Sequence, residues 1–379
     1  MTRRGLYVAA MVLYATAASA QRTLVRAGQL LDVSTGQLSP NRTIVVENGR
    51  ISAIGNVTPQ TTDTVIDLSS FTVLPGLIDA HVHLAIGGPV RANALADLRA
   101  GFTTIVDLGS RTTRMLRIRD SINAGHVPGP RVLAAGIWIG RKDGVCEFNG
   151  IGIAGGAEGF RARVRENVEA GADVIKACVS GWPADAFVQP DSYELPDSVL
   201  SAIVTEAGRF NRMVIAHDIS RGGVHAALRT GVRGLAHVPY ADSTTAAQMA
   251  SRRMFVIPTL ASLVGSDSSP GSRALVASVR LLYRAGVPLV FGTDGGVLPH
   301  GENAREFEAL AAAGVPLLDA VRAATIGAAT ALGIADSVGT LAPGKIADLI
   351  AVEGNPLTDA AALLRVRFVM SRGRVVIKP

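Results

Sequence analysis

The chain has 379 residues, of which 48% are hydrophobic and 18% charged, and its formal net charge is +6. This composition excludes a disordered or fibrous chain, and the length suits one α/β barrel with a small appendage. No lysine-arginine run or aromatic-basic stripe is present, so the pI near 9.7 indicates scattered surface arginines rather than a nucleic-acid site. We therefore expect a globular protein that binds a small molecule or short peptide and no nucleic acid.

The first twenty residues have the pattern of a cleaved signal peptide. Arg3 and Arg4 precede an apolar run at residues 6–17, and Ala18-Ser19-Ala20 forms an A-x-A cleavage site before Gln21. An uncleaved membrane anchor is the alternative, although the apolar run is short for a bilayer span. Cleavage leaves 35 basic and 31 acidic residues, or +4. The prediction is an exported protein, periplasmic or secreted, without stable membrane association after cleavage.

Short strands are predicted at both ends of the mature chain. Residues 21–69 contain β-rich runs separated by turns, including an Asn48-Gly49 hairpin turn, and residues 339–379 resume this pattern after Pro343-Gly344. Two β-rich ends around a long middle predict one discontinuous β-sandwich that is built from both termini. Pairing between the two ends does not follow from the sequence alone.

The middle of the chain, residues 70–338, alternates apolar β-branched runs with helical stretches. The eight runs are LPGLIDAHVH, TTIVDLG, RVLAAGIWIG, DVIKACVSG, MVIAHDIS, GLAHVPY, MFVIPTLAS and PLVFGTDGG. Eight strand-helix repeats favour a closed (β/α)8 TIM barrel over an open doubly wound sheet. No G-x-G-x-x-G opens the first helix, which also argues against a dinucleotide fold.

Metal-binding residue types cluster at the predicted carboxyl ends of these runs, where barrel enzymes place their catalytic groups. A lone strand histidine is more often a structural residue than a ligand, but four of the seven histidines occur at such ends. His81 and His83 lie two apart in a strand, so both imidazoles point to one side. The predicted metal ligands are His81, His83, Lys176, His217, His237 and Asp294.

Lys176 lies inside an apolar run, where a charged ammonium is costly unless it is paired. Burial lowers the pKa of a lysine, and a neutral amine reacts with carbon dioxide to form a carbamate. A carbamate has two oxygens and can bridge two cations. The alternative is a salt bridge between Lys176 and a strand carboxylate.

The chain resembles the amidohydrolase superfamily, and within it the metal-dependent hydrolases related to imidazolonepropionase and the Xaa-Pro or Xaa-Arg dipeptidases. The matching segments are VLPGLIDAHVHL, AGFTTIVDLG, AGADVIKACVSG, VIAHD, FGTDGG, HGENAREFEAL, AVRAATIGAATALG and VGTLAPGKIADLIAV. The resemblance implies two divalent ions, and the nitrogen and carboxylate ligands themselves suit zinc, and also manganese, iron or cobalt. One is held by His81, His83 and Asp294 and the other by His217 and His237, with carboxylated Lys176 as the bridge.

The resemblance also implies a reaction. A metal-activated hydroxide attacks an amide or peptide carbonyl of a small substrate, and Asp294 carries the proton to the leaving group. A lactonase or organophosphate hydrolase on the same binuclear site is the first alternative. A deaminase is disfavoured by Lys176, and a non-catalytic scaffold is disfavoured because all six ligand positions are filled. The sequence leaves open whether the protein forms a homo-oligomer.

The substrate residues are less well defined. The sixth run has LAHVPY where relatives have glutamate-histidine-glycine, so the substrate is in doubt. Four polar residues near strand ends are either substrate-binding or structural, with the first two preferred as substrate ligands: Tyr240, His300, Asn303 and Arg305.

A glycine-rich stretch at residues 138–156 is predicted to form a flap or pocket wall over the metals. It contains Cys146, and Cys178 lies two residues after Lys176. We hypothesise a disulfide between these cysteines that fixes the stretch beside the site. Two buried free thiols are the alternative.

Overall fold

The computed structural model describes residues 22–181, 190–264 and 269–378. The predicted signal peptide lies outside the described residues. Within these ranges, no helix has both the length and the apolar character that crossing a bilayer requires.

The described residues form strands and helices that alternate through the middle of the chain. The strands are β1 Thr23–Asp32, β2 Gln37–Glu47, β3 Arg50–Gly55, β4 Thr64–Pro75, β5 Leu77–Val82, β6 Phe102–Asp107, β7 Arg131–Ala134, β8 Ile175–Cys178, β9 Val214–Asp218, β10 Gly234–His237, β11 Phe255–Ile257, β12 Leu349–Val352, β13 Val366–Ser371 and β14 Arg374–Ile377. The helices are α1 Val90–Arg99, α2 Arg114–Asn123, α3 Ala157–Glu169, α4 Asp197–Arg209, α5 Arg221–Thr230, α6 Ser243–Ser251, α7 Leu260–Leu263, α8 Pro270–Arg284, α9 Arg305–Ala312, α10 Leu317–Ala323 and α11 Ile326–Ala331, followed by the 3-10 helix Ala360–Leu364.

Strands from both ends of the chain form one seven-stranded sheet in the order β14-β13-β12-β4-β1-β2-β3. The β2–β3 hairpin turns at Asn48 and Gly49, whose φ angles are 51° and 76°, as a two-residue turn of this type requires. Strand β4 joins the two ends, because it pairs in parallel with β1 and antiparallel with β12. The predicted domain boundary between residues 69 and 70 falls within β4. The division of the chain into domains stays a prediction.

The middle of the chain has parallel strands in two groups, β5-β6-β7 and β11-β10-β9-β8. An isolated parallel bridge between Ile139 and Ala177 links the two groups. The fold is therefore a TIM-barrel-like α/β fold combined with a β-sheet unit from both ends of the chain.

The eighth predicted run, residues 288–296, departs from the prediction because it makes isolated bridges instead of a strand. Leu289 bridges Val256, and Gly295 bridges Val82, so the run lies between β11 and β5. Its ladder is interrupted because Phe291 donates its backbone N–H to Ala323 at the end of α10. At Phe291 a contact to a helix terminus thus replaces strand pairing, while backbone hydrogen bonds with Val256 and Ala80 still join the run to β11 and β5.

The aromatic core packs the start of the barrel region against this eighth run. The ring of Phe291 lies 5.5 Å from that of Phe102 on β6 and 4.3 Å from that of Phe307 on α9. All three side chains are fully buried. Burying an aromatic side chain of this size contributes about 1.5–3 kcal/mol, so the three rings anchor the segment that leads to Asp294.

Candidate metal centre

Four of the six predicted metal ligands lie at or just beyond the carboxyl ends of parallel strands, whereas Lys176 lies within β8 and Asp294 within the eighth run. Strand β5 ends beside His81 and His83, β8 carries Lys176, and β9 and β10 carry His217 and His237. The sixth, Asp294, comes from the eighth run, where its N–H donates to the backbone oxygen of His81. Parallel strands have a common carboxyl edge, so these side chains meet at one face of the fold.

Two histidines and one carboxylate converge most closely. Nε2 of His81 lies 3.3 Å from Nε2 of His83, and Oδ1 of Asp294 lies 3.4 Å and 3.3 Å from the same two atoms. Burial by itself would raise the pKa of Asp294, but the adjacent imidazoles outweigh it and hold that pKa well below the usual value. Asp294 is therefore ionised in this environment.

Lys176 reaches the same point from β8. Its Nζ lies 3.4 Å from Nε2 of His81, and its side chain is almost completely buried. Burial lowers the pKa of Lys176 to about 7, and it also lowers the pKa of His81 well below the usual value. Among the described residues, Lys176 has no carboxylate within ion-pair distance, so the predicted salt-bridge alternative is not observed.

His237 joins the cluster with its lone pair directed inward. Its ring lies 5.4 Å from that of His81 and 4.8 Å from that of His217. The hydroxyl of Thr259 donates to the backbone oxygen of Pro258, so it accepts from Nδ1 of His237 at 2.7 Å. That hydrogen bond leaves Nε2 of His237 as the free acceptor.

His217 has the opposite tautomer. Its Nε2 donates to the backbone oxygen of Gly181 at 3.3 Å, which leaves Nδ1 as the acceptor. Burial lowers the pKa of His217 to about 4, so the ring is neutral near neutral pH. A neutral imidazole with a defined acceptor nitrogen is the form that binds a metal.

The donor geometry fits a divalent cation. Nδ1 of His83 donates to the backbone oxygen of Gly109 at 3.1 Å, which directs Nε2 towards the carboxylate of Asp294. A proton or a cation between Nε2 and the carboxylate oxygen stabilises this close approach. Bonds of about 2.0–2.2 Å to zinc place tetrahedral ligands roughly 3.3 Å apart. The ligand atoms of His81, His237 and Asp294 all lie within 4.8 Å of one another, as a metal site requires.

Backbone conformations at the strand ends are unusual. Four residues other than glycine have left-handed φ angles there: 81° at His237, 55° at Val238, 52° at Thr259 and 58° at Asp294. A residue in such a conformation costs about 1–3 kcal/mol, and it persists only where the surroundings stabilise it. Two of the four, His237 and Asp294, are candidate ligands. Their strained backbone conformations direct the side chains into the site at a cost in stability.

Buried carboxylates that the sequence analysis did not single out support the ligands. Asp79 accepts from the backbone N–H groups of His81 and Thr293, from the Thr293 hydroxyl at 2.6 Å and from Asn303 at 2.8 Å. Burial raises the pKa of Asp79 to about 7. The available signal was an acidic residue inside a buried strand, two positions before His81.

Asp107 supports His83 in a similar way. It accepts from the N–H of Leu84 at 2.8 Å and from the N–H of Gly109 at 3.2 Å. These bonds connect Leu84, which follows His83, with Gly109, whose backbone carbonyl accepts the hydrogen bond from Nδ1 of His83. Burial raises the pKa of Asp107 to about 6.

The residues proposed to bind substrate differ in their placement. Both ring nitrogens of His300 have protein partners, Asp97 at 2.9 Å and the backbone oxygen of His83 at 3.3 Å, and Asn303 donates to Asp79. His300 and Asn303 therefore support the segments that carry the candidate metal ligands. Substrate contact by His300 stays a prediction that this geometry does not favour.

Tyr240 and Arg305 lie elsewhere. Tyr240 is partly exposed just beyond β10, where substrate contact stays a prediction. Arg305 pairs with Glu302 on the surface at 2.7 Å, so its guanidinium is engaged away from the metal ligands.

The glycine-rich stretch is attached to the site by a covalent bond. Cys146 and Cys178 form a disulfide, as hypothesised, with their Cα atoms 6.1 Å apart. Both cysteines are buried in a small apolar cluster with Trp138 and Val145. The ring of Trp138 lies 5.4 Å from that of His83, so the cluster packs directly beside a candidate ligand.

Comparison with known proteins assigns the family. The amidohydrolase family model matches residues 72–376, which include every candidate ligand. The chain belongs to the amidohydrolase family. It is a hydrolase that acts on carbon-nitrogen bonds, and members of this family are generally metal-dependent.

Several relatives of this amidohydrolase have names that specify activities. Ochratoxinase from Aspergillus niger is 27% identical over 403 residues, which cover 90% of this chain and 83% of that protein. A solved Xaa-Pro dipeptidase with methionine bound in its active site is 29% identical, with a TM-score of 0.86 over 94% of this chain and 100% of that chain. A prolidase solved with N-methylphosphonate-L-proline is 28% identical, with a TM-score of 0.82 over 95% of this chain and 100% of that chain.

Proposed function

We propose that this amidohydrolase cleaves an amide or peptide bond of a small substrate and depends on two divalent metal ions. The observation that carries the proposal is the convergence of His81, His83 and Asp294 within 3.4 Å, with Lys176 and the two remaining histidines adjoining them. Nitrogen-rich ligands of this kind suit zinc. The closed eight-stranded barrel belongs to the proposal too, supported by the bridges of residues 289 and 295 to β11 and β5.

Five of the six residues would hold the ions, and Lys176 would bridge them as a carbamate. The bridge is supported by the burial of Lys176, which favours the neutral amine, and by its position 3.4 Å from His81. When bound, the ions supply Lewis acidity to the substrate carbonyl and to the attacking water.

Asp294 has the properties of the proton carrier. Its carboxylate is ionised, and Oδ1 lies 3.3 Å from Nε2 of His83. An ionised carboxylate beside the other candidate ligands accepts the proton of the attacking water and delivers it to the leaving nitrogen. The ordered hydrogen bonds of Asp79 hold the segment around Asp294 in place for both transfers.

Small peptides and N-acyl amino acids are the substrate class that the relatives favour. The names of the matched proteins specify a dipeptidase, a prolidase and an ochratoxinase. A lactonase on the same site is the competing function.

We also propose export of the mature chain, which is supported by the pattern of residues 1–20.

The proposal is tested by metal analysis together with activity on a panel of dipeptides, N-acyl amino acids and lactones. About two metal ions per chain and hydrolysis of amides are expected. Asp294→Asn should lower kcat by at least about 100-fold. The matched control is Asp336→Asn, which changes an exposed carboxylate distant in sequence from the ligands. Hydrolysis of lactones but not of amides would contradict the proposal and support the competing lactonase function.

The carbamate has a separate test. Protein equilibrated with ¹³C-bicarbonate should show a carbamate resonance in the NMR spectrum, and the resonance should be lost in Lys176→Met. Lys142→Met is the control, because Lys142 is exposed. A spectrum that is the same in both variants would rule the carbamate out.

A further inference from the structure

A cavity of about 680 Å³ is lined in part by Trp138, whose ring packs against that of the candidate ligand His83. It lies among the segments that follow β5, β6 and β7, the same end of the strands that carries His81 and His83. Two features connect it to the site. Trp138 packs against the ring of His83, and Ser110 directly follows Gly109, whose backbone oxygen accepts the hydrogen bond from Nδ1 of His83. A group bound in the cavity therefore contacts Trp138, which in turn contacts a candidate metal ligand. The volume is in the range of pockets that bind small molecules.

The inner wall of the cavity is apolar. It includes Trp138 and Phe148, whose rings lie 4.8 Å apart, and Met115 and Ile118 from α2. The disulfide of Cys146 holds the loop that carries Phe148 in place. An aromatic or large aliphatic group placed here would bury its surface against two aromatic rings and flexible side chains, which is a favourable arrangement.

Three arginines surround the opening of this apolar cavity: Arg91, Arg111 and Arg114. All three are exposed, and the described residues that line the cavity include no aspartate or glutamate. Within the described part of the chain, none of the three guanidinium groups pairs with a carboxylate. The guanidinium of Arg111 lies 5.8 Å from the centre of the Phe148 ring, which keeps it at the opening.

We propose that this cavity selects substrates in which an apolar, preferably aromatic, amino-acid residue bears a free carboxylate. The apolar side chain lies against Trp138 and Phe148, and the carboxylate is bound by Arg111 and Arg114. Guanidinium groups bind carboxylates through paired, charge-assisted hydrogen bonds, and an uncompensated group of arginines favours an anion. The substrate class is therefore an N-acyl amino acid or dipeptide with a large apolar carboxyl-terminal residue, which rests on the proposed amide hydrolysis.

The carboxylate preference is measured first by binding, without turnover. Calorimetry on the metal-loaded enzyme compares 3-phenylpropanoate with 3-phenylpropan-1-ol, two probes that share the aromatic group and contain no amide. The acid should bind about ten-fold more tightly, and Arg111→Gln and Arg114→Gln should abolish most of that difference. Arg117→Gln, an exposed arginine of α2 outside the cavity, should retain it.

A preference that is equal in all four proteins would overturn the proposal, because the carboxylate would then be bound by the metal ions. Absence of any preference in the wild type would overturn it as well. The kinetic arm compares N-acetyl-L-phenylalanine with N-acetyl-2-phenylethylamine, which has the same scissile bond without the carboxylate. A kcat/KM ratio that falls only in the Arg111 and Arg114 variants supports the proposal. If neither compound is hydrolysed while the binding preference persists, the proposed amide hydrolysis fails and the carboxylate site stands.

Discussion

Cys178 lies two residues after Lys176 on β8 and is bonded to Cys146 in the glycine-rich loop, so one short strand carries both a candidate metal ligand and the anchor of a cavity wall. The loop between the two cysteines includes Phe148, which lines the cavity. The position of the cavity wall is thus coupled to the strand that supplies Lys176.

Loss of the disulfide should open the cavity while the metal ligands remain in place. In Cys146→Ala/Cys178→Ala, the constraint on a loop with a sequence separation of 32 residues is removed, which lowers the free energy of unfolding by about 3–4 kcal/mol. KM should rise more than kcat falls, because Phe148 lines the cavity that we propose binds the substrate side chain, and it is not among the candidate metal ligands. Reducing agent should weaken the wild type and leave the double variant unchanged. Equal effects of reductant on both proteins would contradict this prediction.

Gly109→Ala should disturb both Trp138 and His83. A Cβ at residue 109 would lie 2.4 Å from two atoms of the Trp138 indole, and the φ of 118° is strained for alanine. Gly155→Ala isolates the strain, because Gly155 has a φ of 97° and open space around its Cβ position. We expect Gly109→Ala to lose about 2 kcal/mol more stability than Gly155→Ala, and to bind metal more weakly. Denaturant unfolding and metal titration measure the two effects, and equal stabilities would show that Trp138 moves freely.

Asp79→Asn should weaken metal binding although Asp79 touches no metal. An asparagine provides one acceptor oxygen, whereas the carboxylate accepts from His81, Thr293 and Asn303 with both oxygens. Loss of such supporting bonds typically costs 10–100-fold in metal affinity. Competition with a chromogenic chelator measures it, with Asp336→Asn as the control. Unchanged affinity would mean that the backbone alone positions Asp294.

Glu306 should make stability depend on pH. It is buried and accepts from the N–H groups of Leu260 and Ala261, and burial raises its pKa from 4.5 to about 8. The folded protein therefore holds this proton more tightly than the unfolded chain. The associated stability is fully present below pH 4.5 and is lost as the pH rises towards 8.

The Tm of the chelator-treated wild type should accordingly fall relative to that of Glu306→Gln between pH 5 and pH 8, since glutamine does not titrate. Glu308→Gln, an exposed change on the same helix, should track the wild type. Parallel curves for all three proteins would show that Glu306 stays protonated, or stays ionised, across the whole range.

Much of the candidate site could be read from the sequence because its signals are local. The spacing of His81 and His83 places both imidazoles on one side of a strand, and the Asn48-Gly49 turn determines a hairpin without reference to the rest of the chain. The position of Lys176 in an apolar run likewise predicted its burial. In each case the information lies within a few residues, where backbone geometry and hydrophobicity are sufficient.

Other features were decided only by the tertiary structure, because they depend on groups that are distant in the sequence. The eighth run is irregular since the end of α10 accepts a backbone N–H from Phe291, and His300 is engaged by Asp97 across 203 positions. The arginine-rimmed cavity also has no local signal, as α1, α2 and the segments that follow β5, β6, α2 and β7 each supply part of it. The sequence by itself determined which side chains are the candidates for metal binding. Only folding determined their partners, because hydrogen bonds and packing between distant segments form when the strands bring those segments together.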